Sequence, residues 1–302
     1  MIPRIVEISE SGRFLAKRHG VMTVSDRGKD YGEVPIDDIG VLMVSAFGAT
    51  FSKDILVSLA EKGAITILCG GNGHPAAFVT PVAGNYETAQ RIKYQINATL
   101  PLKKRLWQSI VKTKLSHQAE VLRWKGEISV ADKIVSYKNR VQSGDTDNRE
   151  AIAARIYWTA LMGKGFRRNP DGDWPNALFN YGYAVLRASA ARAICAAGLL
   201  PSLGIKHKNG TNTFPLADDL MEPYRPLVDY YVLNTIDQGY AEVSPASKQE
   251  LTKFLWADLL MRGQMTPFFT AMERMAVSIV KSFKEKKPLI EIAEITRMTI
   301  MT

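Results

Sequence analysis

The stretch Pro81-Val82-Ala83-Gly84-Asn85 divides the sequence into two parts with different secondary-structure patterns. Before it, short apolar runs punctuated by glycine or proline predict strands at 4–8, 12–16, 21–24, 39–44 and 64–69. One helix is predicted over 52–62, ended by Gly63. From Glu87 onward almost every long segment has helical period. We therefore predict an α+β protein with a small β-rich N-terminal domain (1–80), a linker (81–86) and a larger all-α domain (87–302).

The composition favours a polyanionic partner. The 302 residues carry a formal net charge of +9, with a pI near 9.4. A basic surface of this kind is typical of nucleic-acid binding. The sequence has no signal peptide and no apolar run that could span a bilayer, and its two cysteines, Cys69 and Cys195, form no CxxC motif. We expect a cytoplasmic protein without a membrane partner.

Basic residues concentrate in three segments. The first runs from Lys103 to Lys125 and includes Lys112 and Lys114. The second is a loop rich in Gly, Asn and Pro, and the third, at 281–287, is interpreted as a solvated face. The candidate DNA-binding residues are Lys103, Lys104, Arg105, Lys164, Arg167, Arg168 and Arg225.

Two carboxylates follow a loop histidine, His207, by about a dozen positions. Asp219 and Glu222 are three residues apart and share a face if their segment is helical, whereas Asp218 points elsewhere. Carboxylate oxygens suit Mg²⁺ or Mn²⁺, and an imidazole shifts the preference toward Mn²⁺. The alternative is that Asp218 and Asp219 cap a helix whose first turn carries Glu222. Pro223 and Pro226 predict a cap or kink here.

A third carboxylate, Glu150, lies at the start of a segment with helical apolar spacing. On that helix Glu150 stacks near Ala153, Ala154 and Tyr157. The alternative is a capping box with Asp147, in which Glu150 reaches back to the N-cap amide. Spacing does not decide between the two.

Four motifs, in this order, resemble those of the CRISPR adaptation integrase, the Cas-one family. They are a Glu followed by small residues, an Arg and aromatics at 150–158; Asn-Tyr-Gly-Tyr within a predicted helix at 176–186; Gly-x-x-His at 204–207; and Asp-Leu-x-Glu-Pro-Tyr-Arg-Pro at 219–226. A local departure is the basic, Asn- and Thr-rich stretch 206–213, where many members are more apolar.

The resemblance implies a set of site residues and an activity. It places metal ligands at Glu150, His207 and Glu222 and a further acidic catalytic position at Asp219. The implied enzyme is an endonuclease and integrase that uses Mg²⁺ or Mn²⁺ to insert short foreign-DNA fragments into a CRISPR array by phosphoryl transfer. The chain length is most similar to that of the type II branch.

The resemblance also implies partners. These are double-stranded DNA, both as the fragment and as the CRISPR repeat; a second copy of the chain, with the N-terminal domain expected to dimerise; the small Cas-two protein; and in the type II branch the Cas-nine effector. Two other functions are compatible with the residues alone. One is a metal-dependent nuclease that does not integrate, and the other is a non-catalytic DNA-binding scaffold.

Overall fold

The computed structural model describes residues 4–70, 75–79, 87–170, 172–207 and 212–300. The predicted linker, 81–86, lies outside these residues, so the domain boundary stays a prediction. The α+β class is confirmed, with strands at the N-terminus and a mostly helical remainder. In the described residues no helix is both long and apolar enough to cross a membrane.

The N-terminal part contains two sheets and one helix. In the first sheet, of order β1-β5-β7-β8, the first three strands are parallel and β8 is antiparallel to β7. The second sheet has the order β4-β3-β2-β6. The elements are β1 Arg4–Ile8, β2 Phe14–Arg18, β3 Val21–Asp26, β4 Lys29–Pro35, β5 Ile39–Val44, β6 Thr50–Phe51, α1 Lys53–Glu61, β7 Ile65–Cys69 and β8 Pro75–Val79.

Local sequence signals set the bounds of α1, which agree with the prediction. The Ser52 side chain accepts a hydrogen bond from the Ile55 amide at 3.4 Å and caps the first turn. Gly63 follows the helix with φ of 74°, a conformation that side chains with a Cβ rarely adopt. Strand β4 was not predicted, because it is an exposed edge strand whose charged sequence lacks apolar alternation.

The helical part surrounds the long central helix α3. It consists of α2 Thr88–Ile96, α3 Leu100–Trp124, α4 Ile128–Asn139, α5 Arg149–Met162, α6 Asn176–Ala196, α7 Pro215–Met221, α8 Arg225–Asp237, α9 Pro245–Thr252 and α10 Phe268–Glu285. A short 3₁₀ helix, Glu222–Tyr224, separates α7 from α8 and confirms the kink predicted from the two prolines. A two-stranded hairpin, β9 Asp258–Met261 and β10 Gln264–Pro267, was not predicted.

Strand β5 is buried at all six positions because it serves two cores. Val41 and Met43 belong to the same apolar cluster as the helices, whereas Leu42 and Val44 pack in the N-terminal cluster. Successive side chains of a strand point to opposite faces, so the two sets alternate. One face of the first sheet therefore packs against the helical part.

Glu7 joins the two parts by polar contacts. Its carboxylate accepts hydrogen bonds from Ser45 Oγ at 2.6 Å, Lys248 Nζ at 2.6 Å and Tyr181 OH at 2.8 Å. Ser45 follows β5, whereas Tyr181 and Lys248 lie on α6 and α9. The Glu7 side chain is only 14% exposed, so these three donors replace water around its charge.

We expect Glu7→Gln to lower the free energy of unfolding by about 1–3 kcal/mol. The glutamine amide removes the ion pair with Lys248, and its NH₂ group faces side chains that are themselves donors. Urea unfolding at neutral pH measures the change. Glu33→Gln, on the exposed strand β4, is the matched control and should leave the midpoint unchanged. Equal midpoints for both variants would show that Glu7 does not stabilise the junction.

Candidate functional site

Asp145 fixes the position of Glu150 at the start of α5. Its two carboxylate oxygens accept hydrogen bonds from the amides of Arg149, at 2.9 Å, and Glu150, at 3.1 Å. These amides are among those that a helix start leaves without intrahelical partners. The capping-box interpretation of Asp147 and Glu150 is therefore wrong, since Asp145 caps the helix and the Glu150 carboxylate contacts α3.

The Lys114 ammonium lies between two carboxylates. Its Nζ is 2.5 Å from Glu150 Oε1 and 2.5 Å from Glu222 Oε2. The other oxygen of Glu222 is 3.1 Å from Arg225 Nη1. The side chains of Lys114 and Glu222 are 10% and 5% exposed, so these charges interact with little screening by water.

The neighbouring charges keep Glu222 and Lys114 ionised. Burial would raise the pKa of Glu222, but Arg225 and Lys114 outweigh this effect and lower it to about 2. Burial would likewise lower the pKa of Lys114, but the Glu222 and Glu150 carboxylates raise it above its usual value. Glu222 and Lys114 are therefore both charged at neutral pH.

Lys114 differs from the other lysines and arginines of the basic segment Lys103 to Lys125, because its side chain is buried. It lies on the buried stripe of α3, with Ile110, Gln118 and Val121 at helical spacing. The signal that could have identified it is a lysine within an otherwise apolar stripe. Such a lysine is buried only when it has a partner.

Asp219 organises the loop that carries His207. Fully buried on α7, its carboxylate accepts the backbone amides of Ile205, Lys206 and His207 at 2.5, 3.1 and 3.2 Å. It also accepts a hydrogen bond from His207 Nδ1 at 2.8 Å. The helix-cap interpretation of Asp219 is therefore wrong, because its oxygens bind the preceding loop.

Gly204 permits the close approach of this loop to α7. A Cβ added at Gly204 would lie 2.5 Å from the His207 carbonyl oxygen and 3.0 Å from Asp219 Oδ2. Those distances exclude any other residue unless the loop shifts. The Gly-x-x-His spacing thus has a steric reason.

His207 presents its second ring nitrogen away from Asp219. Because Nδ1 donates to the carboxylate, Nε2 of the neutral imidazole is an acceptor and can bind a cation. The hydrogen bond that His207 donates to Asp219 raises the pKa of His207 above its usual value, and the Glu222 charge adds to the rise. The ring packs edge-on against Trp107, with centroids 5.6 Å apart, and its side chain is 39% exposed.

The structure brings the predicted ligands together only in part. Glu150 and Glu222 share one cation, and the charge of Glu222 acts on His207. Within the described ranges, however, no group of three or more His, Cys, Asp or Glu side chains has the spacing to hold a metal ion. The chemistry of the donor set fits a hard divalent cation, and Lys114 occupies the space between the two carboxylates.

A cavity of about 200 Å³ lies beside Lys114. Asp229, at its wall, accepts hydrogen bonds from Tyr157 OH at 3.0 Å and Tyr183 OH at 2.5 Å. Burial raises the pKa of Asp229 to about 6, although both tyrosines oppose the rise. The Arg225 guanidinium lies over the Tyr183 ring, 4.5 Å from its centroid. The cavity thus combines aromatic and cationic walls next to the carboxylates, and its remaining lining includes Gln118, Ala154, Trp158, Arg168, Pro170 and Pro226.

The candidate DNA-binding residues differ in their surroundings. Those with exposed side chains are Lys104, Arg105, Lys164 and Arg167. Lys103 is half-buried, with its Nζ 3.5 Å from the Gly204 carbonyl oxygen. Arg168 is held by the protein, because it donates to the side-chain oxygens of Asn176 at 3.0 Å and Asn180 at 2.6 Å.

Comparison with known proteins identifies relatives along most of the chain. Residues 6–259 match the family model described as CRISPR associated protein Cas1, which is the Cas-one family. A CRISPR-associated endonuclease Cas1 from Neisseria meningitidis serogroup C is 36% identical over 285 residues, which cover 94% of this chain and 93% of the relative.

Solved structures show the same fold at lower sequence identity. A casposase bound to integration product superposes with a TM-score of 0.77 at 18% identity, covering 99% of both chains. A Cas6-RT-Cas1–Cas2 complex superposes with a TM-score of 0.77 at 15% identity, covering 98% of this chain and 36% of that chain. At these identities the structural likeness concerns the fold.

We expect Asp219→Asn to lower the pKa of His207, because the Asp219 hydrogen bond is the largest cause of its rise. A histidine whose pKa is higher in the folded protein than in the unfolded chain stabilises the fold. The contribution is complete at pH values below the unfolded-chain pKa of about 6.5, and it is lost as the pH rises through the pKa of the folded protein. The variant should therefore lose more stability in acid than at alkaline pH. An NMR titration of the histidine ring, with unfolding measured at each pH, tests both effects.

The matched control for this experiment is Asp218→Asn, on the neighbouring position. Asp218 pairs with Arg187, at 2.7 Å, and its charge contributes less to the raised pKa of His207 than Asp219 or Glu222 does. His117 serves as an internal reference, because burial lowers its pKa to about 4. A His207 titration equal in both variants would contradict the orienting role of Asp219.

Proposed function

This chain belongs to the Cas1 family of CRISPR-associated proteins, and from that membership we propose that it is a metal-dependent DNA endonuclease and integrase. It inserts short fragments of foreign DNA into a CRISPR array. The observation that carries this proposal is the convergence of two carboxylates, the partly exposed Glu150 and the buried Glu222, on one cation near an imidazole with a fixed orientation. We retain the type II branch, for which the identity to the Neisseria meningitidis relative is the support.

The proposed metal ligands are Glu150, His207 and Glu222. These residues would hold Mg²⁺ or Mn²⁺, and the ion would supply Lewis-acid stabilisation of the charge on a scissile phosphate during an in-line displacement. Oxygen ligands suit both ions, and the imidazole nitrogen favours Mn²⁺. The nucleophile is water in the endonuclease reaction and a DNA 3′-hydroxyl in the integrase reaction.

The surrounding residues orient these ligands. Asp145 binds the first amides of α5 and so fixes the backbone of Glu150. Asp219 accepts a hydrogen bond from His207 Nδ1–H and so leaves Nε2 available as the ring's acceptor. Arg225, which stacks on the Tyr183 ring, holds one oxygen of Glu222. Partners of this kind fix ligand geometry before a substrate arrives.

The proposed partners follow from charge and from the family. Double-stranded DNA, as fragment and as repeat, suits a chain of net charge +9 in which the carboxylates of Glu150 and Glu222 are paired with lysine and arginine. A solved Cas6-RT-Cas1–Cas2 complex supports Cas2 as a partner. A homodimer formed through the N-terminal part and contact with the Cas9 effector complete the proposed assembly.

We expect Glu150→Gln and Glu222→Gln each to reduce strand transfer by more than about 100-fold, because each removes a charged ligand. Glutamine is preferable to alanine, since alanine at 222 would remove every polar atom that faces Arg225 from this position and would leave Lys114 with Glu150 alone of its two carboxylates. The assay joins 3′-hydroxyl ends to a repeat-containing duplex, and DNA affinity is measured in parallel. Degradation without joining, by the unmodified protein, would indicate a nuclease that does not integrate.

The matched control for Glu150 is Asp147→Asn, an exposed acid in the preceding loop. It removes the same charge without touching Lys114. Near-normal strand transfer by the Glu150 or Glu222 variant in added Mn²⁺ would refute the ligand role. Equal losses in all three variants would point to a general charge effect.

We expect Arg167→Ala to make the slope of log DNA affinity against log salt concentration less negative by about 0.9, the value for one lost phosphate contact on B-DNA. Its side chain is exposed, so the fold should be unaffected. Arg168→Ala should instead lower the melting temperature, because it removes the bonds to Asn176 and Asn180. Lys284→Ala, on an exposed face of α10, is the control. An unchanged slope for Arg167→Ala would move the DNA path to Lys103, Lys104 and Arg105.

A further inference from the structure

We propose that Lys114 is a built-in counter-cation that competes with the divalent metal for Glu150 and Glu222. In the metal-free protein its ammonium lies between the two carboxylates, and on metal binding it moves to the side-chain oxygen of Gln118. This inference rests on the proposed function, since it assumes that Glu150 and Glu222 are metal ligands.

The first argument is that both oxygens of Glu222 already have a cationic partner. Oε2 is 2.5 Å from Lys114 Nζ, and Oε1 is 3.1 Å from Arg225 Nη1. A metal ion that takes an oxygen of Glu222 must therefore displace one of these two groups. Glu150 shares the same ammonium, so Lys114 is the group that separates the two proposed ligands.

The second argument concerns which of the two cations can move. The Arg225 guanidinium lies 4.5 Å from the centroid of the Tyr183 ring, and its planar group is held by that stacking. Lysine carries a point charge on a flexible four-carbon stem and has no planar group to align. Repulsion from a dication a few ångströms away therefore displaces Lys114 before Arg225.

The third argument is that a second position for the ammonium exists. Gln118 lies one turn after Lys114 on the same face of α3, and both line the cavity beside the carboxylates. Gln118 is 3% exposed, and within the part of the chain that the structure describes its Oε1 has no hydrogen-bond partner. A buried acceptor without a donor is uncommon. Rotation of the lysine side chain into the cavity supplies one.

The two positions account for the presence of a lysine at an apolar stripe. Without metal or lysine, the Glu150 and Glu222 carboxylates would repel each other, and the buried Glu222 would lack the solvation that water provides. Lys114 forms an ion pair with both carboxylates, and a divalent cation then displaces its ammonium from them. Metal binding is thereby coupled to a change in the wall of the cavity.

A titration of Mn²⁺, with free ion followed by EPR, tests the competition. We expect Lys114→Met to bind Mn²⁺ about tenfold more tightly than the unmodified protein, because a positive charge next to the ion is gone. Lys112→Met is the matched control, since it removes the same charge two residues away, off the face of Lys114. Mn²⁺ should also raise the melting temperature of Lys114→Met by more than that of the unmodified protein.

A double-mutant cycle tests the second position. Gln118→Met removes the oxygen that receives the displaced ammonium, so it should weaken Mn²⁺ binding in the unmodified background. In the Lys114→Met background the same change should have no effect, because there is no ammonium to receive. Equal effects of Gln118→Met in both backgrounds would contradict the move to Gln118.

The outcomes separate this inference from the proposed function. If Mn²⁺ binds and Glu150→Gln abolishes binding, but Lys114→Met binds no more tightly or more weakly, the ligand role holds and the competition is refuted. If no variant binds Mn²⁺, the metal site and the inference both fall. Lys114→Gln provides a second test should Lys114→Met not fold, because it keeps hydrogen-bond donors for the carboxylates while removing the charge.

Discussion

The Lys114 ammonium joins three segments that are far apart in the sequence. The lysine is on α3, Glu150 begins α5, and Glu222 follows α7. Transfer of a lone charge from water to a protein interior costs several kcal/mol, so the buried Lys114 and Glu222 each require an oppositely charged partner. Apolar packing tolerates small sliding of helices, but two contacts of 2.5 Å at one nitrogen do not. This interaction therefore fixes the site's geometry within a largely apolar core.

Pro223 helps to set the position of Glu222 relative to Lys114. Pro223 supplies no amide, so α7 ends and a 3₁₀ turn delivers Glu222 toward α3. The turn is anchored from two sides, because His117 Nδ1 lies 2.6 Å from the Pro223 carbonyl oxygen and the hydroxyl of Tyr224 accepts the Ala293 amide at 3.1 Å. Burial lowers the pKa of His117 to about 4, so this contact stays neutral at physiological pH.

Much of the fold and part of the site could be predicted from sequence. The helix α1 is predicted because its signals, Ser52 and Gly63, are local. The roles of Asp145 and Asp219 were missed because each oxygen binds amides whose position depends on the folded loop. Lys114 was assigned to a basic segment because a run of charges in one dimension does not reveal which member faces inward. Its partners Glu150 and Glu222 are 36 and 108 residues away in the sequence, and pairs so far apart produce no periodic pattern that could reveal them.

Charge balance links the metal and the DNA in the proposed function. Two carboxylates, Glu150 and Glu222, are balanced by Lys114 and Arg225, so this group of four side chains has no net charge within a chain of net charge +9. Addition of a divalent cation leaves two surplus positive charges in a region with little screening by water. A DNA phosphate that enters the site offsets part of that surplus. Metal and DNA should therefore bind more tightly together than separately, and this coupling requires that the protein's own cations remain in the site.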